Sequence, residues 1–303
     1  MKMMNQRIDW EDQRAFLAVL DGGSLSAAAR ALGVAQPTVR ARVAALEQAL
    51  GTTLFTRSVR GLTPTAQARA LGAAARAMAH ASDAFARLAS AAVDVPAGVV
   101  RLGVSDFVGV AVLPAMLAPL RRSHPDLRIE LVLSNSAADL LEQEVDIAVR
   151  MHPPRQEALV AAKVPSIPLG LFAHRDYLAR RGTPVTLADL ATHDMIGPDR
   201  ALSDLAVVAQ VFPDLDRSRF MIRTDSHPAQ LAAIRAGLGI GVVQRPVALA
   251  DPALCAVLPD LVAATLDTWI VTHENLRALP RIAALFDHLV AAFRRFGGAA
   301  PDG

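Results

Sequence analysis

Four side chains crowd one stretch of seven residues: Gln36, Thr38, Arg40 and Arg42. A glutamine amide matches the donor and acceptor on adenine's major-groove edge, and a guanidinium matches the paired acceptors of guanine. Two further arginines, Arg57 and Arg60, supply charge for backbone phosphates or for the minor groove. Four arginines, 40, 42, 57 and 60, on one small unit are more than a solvated face needs. Spacing alone still leaves open a plain helical hairpin with a polar side.

Other groupings promise chemistry and fail on geometry. Asp225-Ser226-His227 contains the members of a hydrolytic triad. Consecutive residues cannot let one base bond both a nucleophile and an orienting acid. Ser226 or Asp225 reads better as the cap of a helix. Gly237-Leu238-Gly239-Ile240-Gly241 sits after a helix pattern and before a strand pattern, the reverse of a nucleotide-binding loop. The eight histidines are scattered, and the single cysteine, Cys255, lies among apolar residues. The expectation is a protein that is not an enzyme, with no metal and no cofactor. His152 and His227 remain candidates for the wall of a cleft.

The first 64 residues must position the polar stretch. Residues 9–21 read as a helix with Trp10, Phe16, Leu17 and Leu20 inward, closed by Gly22-Gly23. Ser24 caps a second helix whose Leu25, Ala28, Ala29 and Leu32 share one face. Gly33 stops it, and Gln36-Pro37 opens a third helix that buries Val39, Val43, Leu46 and Leu50. Two short helices joined by a glycine-containing turn form a helix-turn-helix, which projects the start of its second helix into the major groove. Leu54–Arg57 and Leu62–Thr65 then make a β-hairpin wing with Arg57 and Arg60 near its tip.

In this segment the chain resembles the LysR-type transcriptional regulator family. The match is carried by Ser24-Leu25-Ser26-Ala27-Ala28-Ala29, Leu32, Gln36-Pro37, Val39, Leu46-Glu47, Leu50-Gly51, Leu54-Phe55, Arg57 and Arg60-Gly61. The resemblance implies that Gln36, Pro37, Thr38, Arg40 and Arg42 lie on a DNA-recognition helix. It also places Arg57 and Arg60 in the wing; Ser24 completes the DNA-binding set. Arg40 stands where the family usually has serine. Pro64, Ala66 and Ala68 replace its usual leucine, acidic residue and glycine. These departures bear on which operator is read, not on DNA binding.

Residues 65–94 follow as an alanine-rich linker helix. Leu71, Ala74, Met78, Ala81, Phe85, Leu88 and Ala92 alternate by three and four, an a/d seam over about three heptads and roughly 40 Å. Such a stripe needs a partner: its own domain or, the better reading, a second copy. Leu71, Met78, Phe85 and Leu88 are the dimer residues. The resemblance implies the same dimer, and a tetramer through the remaining domain. Val95-Pro96-Ala97-Gly98 breaks the helix.

From residue 95 to 303, strand-like and helix-like runs alternate, which argues for parallel sheets. Strands are expected at Val99–Val104, Ile129–Leu133, Val145–Val149, Ile167–Ala173, Phe220–Thr224, Ile240–Val243 and Trp269–Thr272. Helices are expected at Val110–Ser123, Ala137–Glu144, Pro228–Ala236 and Leu279–Phe296, with others near Tyr177 and Leu187–Leu190. Leu113-Pro114, His124-Pro125, Asp146–Arg150 and Ala236–Ile240 resemble the family's effector-binding domain, which implies a two-lobed, periplasmic-binding-protein-like fold. Lobe 1 would take residues 97–165 and 266–303, and lobe 2 residues 166–265. The whole chain is then an α+β and α/β multidomain protein.

Three strand ends run into polar residues: Ser105-Asp106, Ser134-Asn135-Ser136 and Thr224-Asp225-Ser226. Ligands of open α/β sheets sit beyond the carboxyl ends of strands, and helix starts there favour anions. Ser105, Asp106, Ser134, Asn135, Arg150, Asp225 and Ser226 are therefore the candidate contacts for a small polar metabolite. Asp106 and Asp225 argue for a zwitterionic or hydroxylated one. Taken singly, each serine also reads as a plain helix cap.

Composition bounds these readings. Hydrophobic residues make up 52% and charged residues 20%, the balance of a globular protein. Residues 1–90 hold 11 Lys/Arg against 6 Asp/Glu, so +5, and the rest 20 against 23, so −3. A basic head suits a polyanion. The absence of an apolar leader, of a membrane span and of a cysteine pair favours the cytoplasm. The expected partners are double-stranded DNA, the metabolite and further copies of the chain, with RNA polymerase a further candidate and no membrane. Two rival functions stay in view: a solute-binding protein or enzyme on the same two-lobed fold, and an architectural DNA binder without ligand response.

Overall fold

The computed structural model describes residues 8–58, 61–89, 96–135, 145–154, 158–212 and 217–298. The chain divides into two compact units, one ending at the linker helix and one formed by the remainder.

The first unit opens with α1 (Trp10–Gly22), whose cap Asp9 accepts the N–H of Glu11 at 2.8 Å. Helix α2 (Leu25–Leu32) starts at Ser24, whose hydroxyl accepts the N–H of Ala27 at 3.2 Å. It ends at Gly33, which holds φ 66°, a left-handed conformation that a side chain would strain. Helix α3 (Gln36–Leu50) follows, with Pro37 in its first turn where no N–H is needed. Strands β1 (Phe55–Ser58) and β2 (Gly61–Pro64) pair antiparallel, from Phe55 opposite Pro64 to Ser58 opposite Gly61. Phe16, Val19, Ala28, Val39, Val43, Leu46, Leu54 and Phe55 form one core. The Phe16 and Phe55 rings meet at 5.7 Å, tying the first helix to the wing. Truncating a buried phenylalanine of this kind costs about 3–5 kcal/mol.

Helix α4 (Ala66–Ala89) is divided in its use. Ala68 and Ala75 are buried in the head's core and Leu71 packs against it. Leu71, expected on an intermolecular seam, is partly buried against the head, because α4 begins by lying on α1. Further along, Ala74, Met78, Ala81 and Phe85 are all exposed, Phe85 at 75%. The side chain of Leu88, and Ala92, lie outside the described residues.

The second unit is built on one mixed sheet. Strand β3 (Gly98–Val104) leads through a π turn (Val108–Val112) into α5 (Leu113–Ser123). Strands β4 (Leu127–Leu133) and β5 (Ile147–Arg150) flank β3, both parallel to it. The helix expected at Ala137–Glu144 falls outside the described residues. Strand β6 (Leu159–His174) is far longer than expected, because Pro165 and Pro168 interrupt a pattern that otherwise reads as strand. It leads to α6 (Arg175–Arg181), β7 (Met195–Gly197), α7 (Leu202–Val211), β8 (Phe220–Arg223), α8 (His227–Arg235), β9 (Ile240–Gln244), α9 (Arg245–Leu249) and β10 (Leu254–Val257). Strand β11 (Ala264–His273), α10 (Glu274–Arg277) and α11 (Pro280–Gly298) complete it.

Among the described residues the sheet runs β4-β3-β5-β11-β6-β9-β7-β8, with β10 also on β6. The expected parallel pairs are present within each lobe, but β6 and β11 pair antiparallel along most of their length. These two strands cross from one lobe to the other. Their register shifts between Leu266 and Thr268, where Pro165 and Ser166 of β6 bulge opposite the single Asp267. Lobe 1 packs Val100, Leu102, Leu113 and Ile147 under Ile282, Phe286, Leu289 and Phe293 of α11. Lobe 2 packs Leu171, Tyr177, Met195, Phe212, Phe220 and Ile240. Among the described residues no helix is long and apolar enough to cross a membrane.

Candidate nucleic-acid interface and effector cleft

Helix α3 turns Val39, Val43 and Leu46 inward, and this fixes what its other sides present. Gln36, Pro37, Arg40 and Ala41 are exposed. Gln36 and Arg40, one turn apart, lie together on one flank. Arg40 has no hydrogen-bond or ion-pair partner among the described residues. Arg42 differs: it lies half-buried on the opposite flank, and its Nη1 meets Glu11 Oε2 of α1 at 2.5 Å. Arg14 holds the other Glu11 oxygen at 2.7 Å. Hydrogen bonds from Arg14, then Arg42, lower the Glu11 pKa. Arg42, expected among base-reading groups, here braces α3 against α1. Thr38 is half-buried in the first turn. Ser24 spends its hydroxyl as a cap.

Glu47 was noted in the sequence only as part of a motif. Its Oε1 accepts the N–H of Leu54 at 2.7 Å and of Phe55 at 3.2 Å, so one carboxylate joins α3 to the wing. The N–H of Leu62 donates to Gly23 O at 3.3 Å, anchoring the returning strand to the α1–α2 turn. Arg57 lies in β1, with its side chain outside the described residues, as is Arg60 entirely.

The parallel strands of each lobe end on one edge. In lobe 1, Ser105 follows β3, Ser134 follows β4 and Arg150 ends β5. Ser105 Oγ accepts the N–H of Val108 at 3.4 Å, and Asn135 Oδ1 accepts the N–H of Asp106 at 3.1 Å, so two loops are joined. The N–H of Ser134 extends the ladder to Val104 O at 3.0 Å. Arg150 is buried, and burial lowers its pKa. Ser136 lies outside the described residues.

In lobe 2, Asp225 proves structural. Its Oδ1 accepts the N–H groups of Asp199, Arg200 and Ala201 at 2.8, 2.9 and 3.0 Å. Those bonds, that from Ala201 foremost, lower its pKa. Asp225, expected as a ligand contact, thus also clamps the loop after β7. Ser226 caps α8 by accepting the N–H of Ala229 at 3.4 Å, so the helix-cap alternative describes its hydroxyl. The motif at Gly237–Gly241 is structural too, since a Cβ at Gly239 would lie 2.3 Å from Asp194 O.

The residue that joins the lobes is His227. Its Nε2 lies 2.9 Å from Asp204 Oδ2 on α7, and its Nδ1 lies 4.0 Å from Asp106 Oδ1 of lobe 1. The bond to Asp204 raises the His227 pKa against the effect of burial, with Asp106 and Asp225 adding charge; the same bond lowers that of Asp204. Asp204 was invisible in the sequence because α7 was not anticipated there. Among the described residues no group of three or more His, Cys, Asp or Glu is placed to hold a metal ion.

Two family descriptions match the chain. "Bacterial regulatory helix-turn-helix protein, lysR family" covers residues 10–69, and "LysR substrate binding domain" covers residues 94–294. Among characterised relatives, the chain is 27% identical over 192 residues to the HTH-type transcriptional regulator PgrR of Escherichia coli, covering 63% of this chain and 64% of that one. It is 27% identical over 232 residues to the HTH-type transcriptional activator AaeR of Escherichia coli, covering 75% and 74%. The fold is similar to full-length CbnR, whose structure was solved with its target DNA: TM-score 0.67, 21% identity, 95% of this chain and 99% of that one. With the regulatory helix-turn-helix at its head and the substrate-binding domain across residues 94–294, the chain belongs to the LysR family of transcriptional regulators.

Proposed function

We propose that this chain binds a specific double-stranded DNA operator as an oligomer and that a small polar metabolite, held between the lobes of its second unit, controls that binding or its consequence. The observation that carries the reading is the pairing of an exposed, unengaged Gln36–Arg40 flank with a helix-turn-helix of the LysR type. Gln36 and Arg40 read base edges, and Arg57 and Arg60 of the wing contact the backbone or minor groove. The exposed row Ala74, Met78, Ala81 and Phe85 supports a linker dimer, since four apolar residues at seam spacing are left in water in a single copy. Two heads then read half-sites related by the dimer axis. Crystallographic CbnR carries its target DNA, which favours the same partner here.

The metabolite is placed against Ser105, Asp106, Ser134, Asn135 and Arg150 of lobe 1 and His227 of lobe 2. This set mixes an imidazole and a guanidinium with a carboxylate and neutral donors, which suits a hydroxylated or zwitterionic molecule over a bare anion. The test is fluorescence anisotropy of the full chain on fragments from its own promoter and neighbouring promoters. Binding of one fragment at least a thousandfold more tightly than random duplex supports a regulator. Equal, weak binding to all fragments supports the architectural alternative. No binding at all supports a solute-binding protein or enzyme.

A further inference from the structure

A cavity of about 600 Å³ in the second unit is walled by α5 and the end of α11 from lobe 1 and by α8, α9 and the segment after it from lobe 2. None of its lining residues belongs to the cleft set. Its volume falls within the ~300–1,000 Å³ of small-molecule sites. Its walls are mainly apolar, with Met116 on α5, Val247 on α9 and Phe296 on α11.

The charges at its rim are unequal. Arg235 Nε and Asp251 Oδ2 are paired at 2.8 Å, and Asp251 also accepts the N–H of Ala253 at 3.1 Å. That side of the rim is neutral and satisfied. Arg295 of α11 also lines the cavity, is exposed, and has no ion-pair partner among the described residues. An apolar cavity with one uncompensated guanidinium is complementary to a molecule with an apolar body and one acidic group.

The place matters as much as the chemistry. One residue beyond Phe296, a Cβ at Gly297 would come within 2.8 Å of Pro165 O on β6, the strand that crosses between the lobes. The cavity therefore lies beside the hinge and takes walls from both lobes. A molecule filling it favours the lobe arrangement that fits it, and by linkage couples to whatever occupies the cleft.

We propose that this cavity is a second small-molecule site, for an apolar-bodied carboxylate, separate from the effector cleft and coupled to it through the hinge. The test uses isothermal titration of the full chain with 1-naphthoate and, as a size-matched cation, 1-naphthylmethylammonium. The expected result is saturable, one-to-one binding of the acid and at least tenfold weaker binding of the cation. Arg295→Glu, at an exposed position, should weaken the acid at least tenfold. Ala115→Trp and Ala250→Trp, exposed positions on opposite walls, should each abolish it by filling the cavity. Binding that survives both tryptophans, or equal binding of acid and cation, overturns the proposal. Sedimentation of the same variants separates the other occupant: a wild type that ignores the acid, together with tryptophan variants of lower mass, makes the groove an interface between copies. Operator binding, measured in parallel, tests the proposed function independently of this site.

Discussion

Glu11 of α1 holds Arg42 of α3 at 2.5 Å, and two residues earlier on α3 Arg40 stands exposed with no partner among the described residues. Two arginines that look equivalent in the sequence therefore have different work. Arg40→Ala should cost about 1–3 kcal/mol of discrimination at one operator position and leave random-sequence affinity nearly unchanged. Arg42→Ala should leave the discrimination profile intact and change head stability by about 0–1 kcal/mol, the usual worth of a partly exposed ion pair. Anisotropy on single-base operator variants separates the two. Equal loss of discrimination from both changes would show that the brace opens on DNA.

Glu47 joins the recognition helix to the wing through two backbone donors. Glu47→Ala strands those donors at the base of β1. The head should lose about 1–3 kcal/mol in denaturant unfolding, since bonds to a charged acceptor are among the stronger ones. Glu47→Gln keeps an acceptor and should recover part of the loss. A variant as stable as the wild type would mean that water replaces the carboxylate.

Much of the head was legible in the sequence because its signals are local. Ser24 as a cap, Gly33 as a stop and Pro37 as a start all act within a turn of the residue they govern. The bracing acids were not legible, since Glu11 and Arg42 lie 31 residues apart. In the second unit the parallel strands were readable from their apolar runs. Strand β6 was not, because Pro165 and Pro168 break its pattern while a bulge and the partner strand accommodate them. The polar strand ends were found, but not how they are spent. Asp225 looked like a ligand group until its three backbone partners, 24 to 26 residues away, were seen. Leu71 packs partly on the head, which a 3–4 alternation could not tell, because it says which residues share a face and not what covers that face.

The exposed linker row predicts an assembly defect. Met78→Glu with Phe85→Glu places charge on residues that are 43% and 75% exposed in one copy. The single chain should fold as well as the wild type, and the sedimenting mass should fall to that of a smaller species at micromolar concentration. A wild type that is already monomeric there would remove the linker dimer.

His227 and Asp204 predict a pH profile. The raised His227 pKa makes its contribution complete below 6.5, the ordinary histidine value; it is lost as pH rises through the raised one. The lowered Asp204 pKa makes its contribution complete above 3.8, the ordinary carboxylate value, and lost as pH falls through the depressed one. The pair is whole between these limits. Thermal unfolding of the full chain should show stability declining from weakly acidic toward alkaline pH, and His227→Gln should flatten that limb. An unchanged slope in the variant would place the titration elsewhere.

On the proposed function, the Gln36–Arg40 flank of α3 reads bases in an operator. Its most direct test is selection of binding sites from a random duplex pool by the full chain, beside the Gln36→Ala/Arg40→Ala variant. The wild type should enrich a pseudo-palindrome with a fixed base in each half-site, and the variant should retain duplex binding but lose that base. A wild type that enriches no sequence, or a double variant that enriches the identical motif, would contradict it.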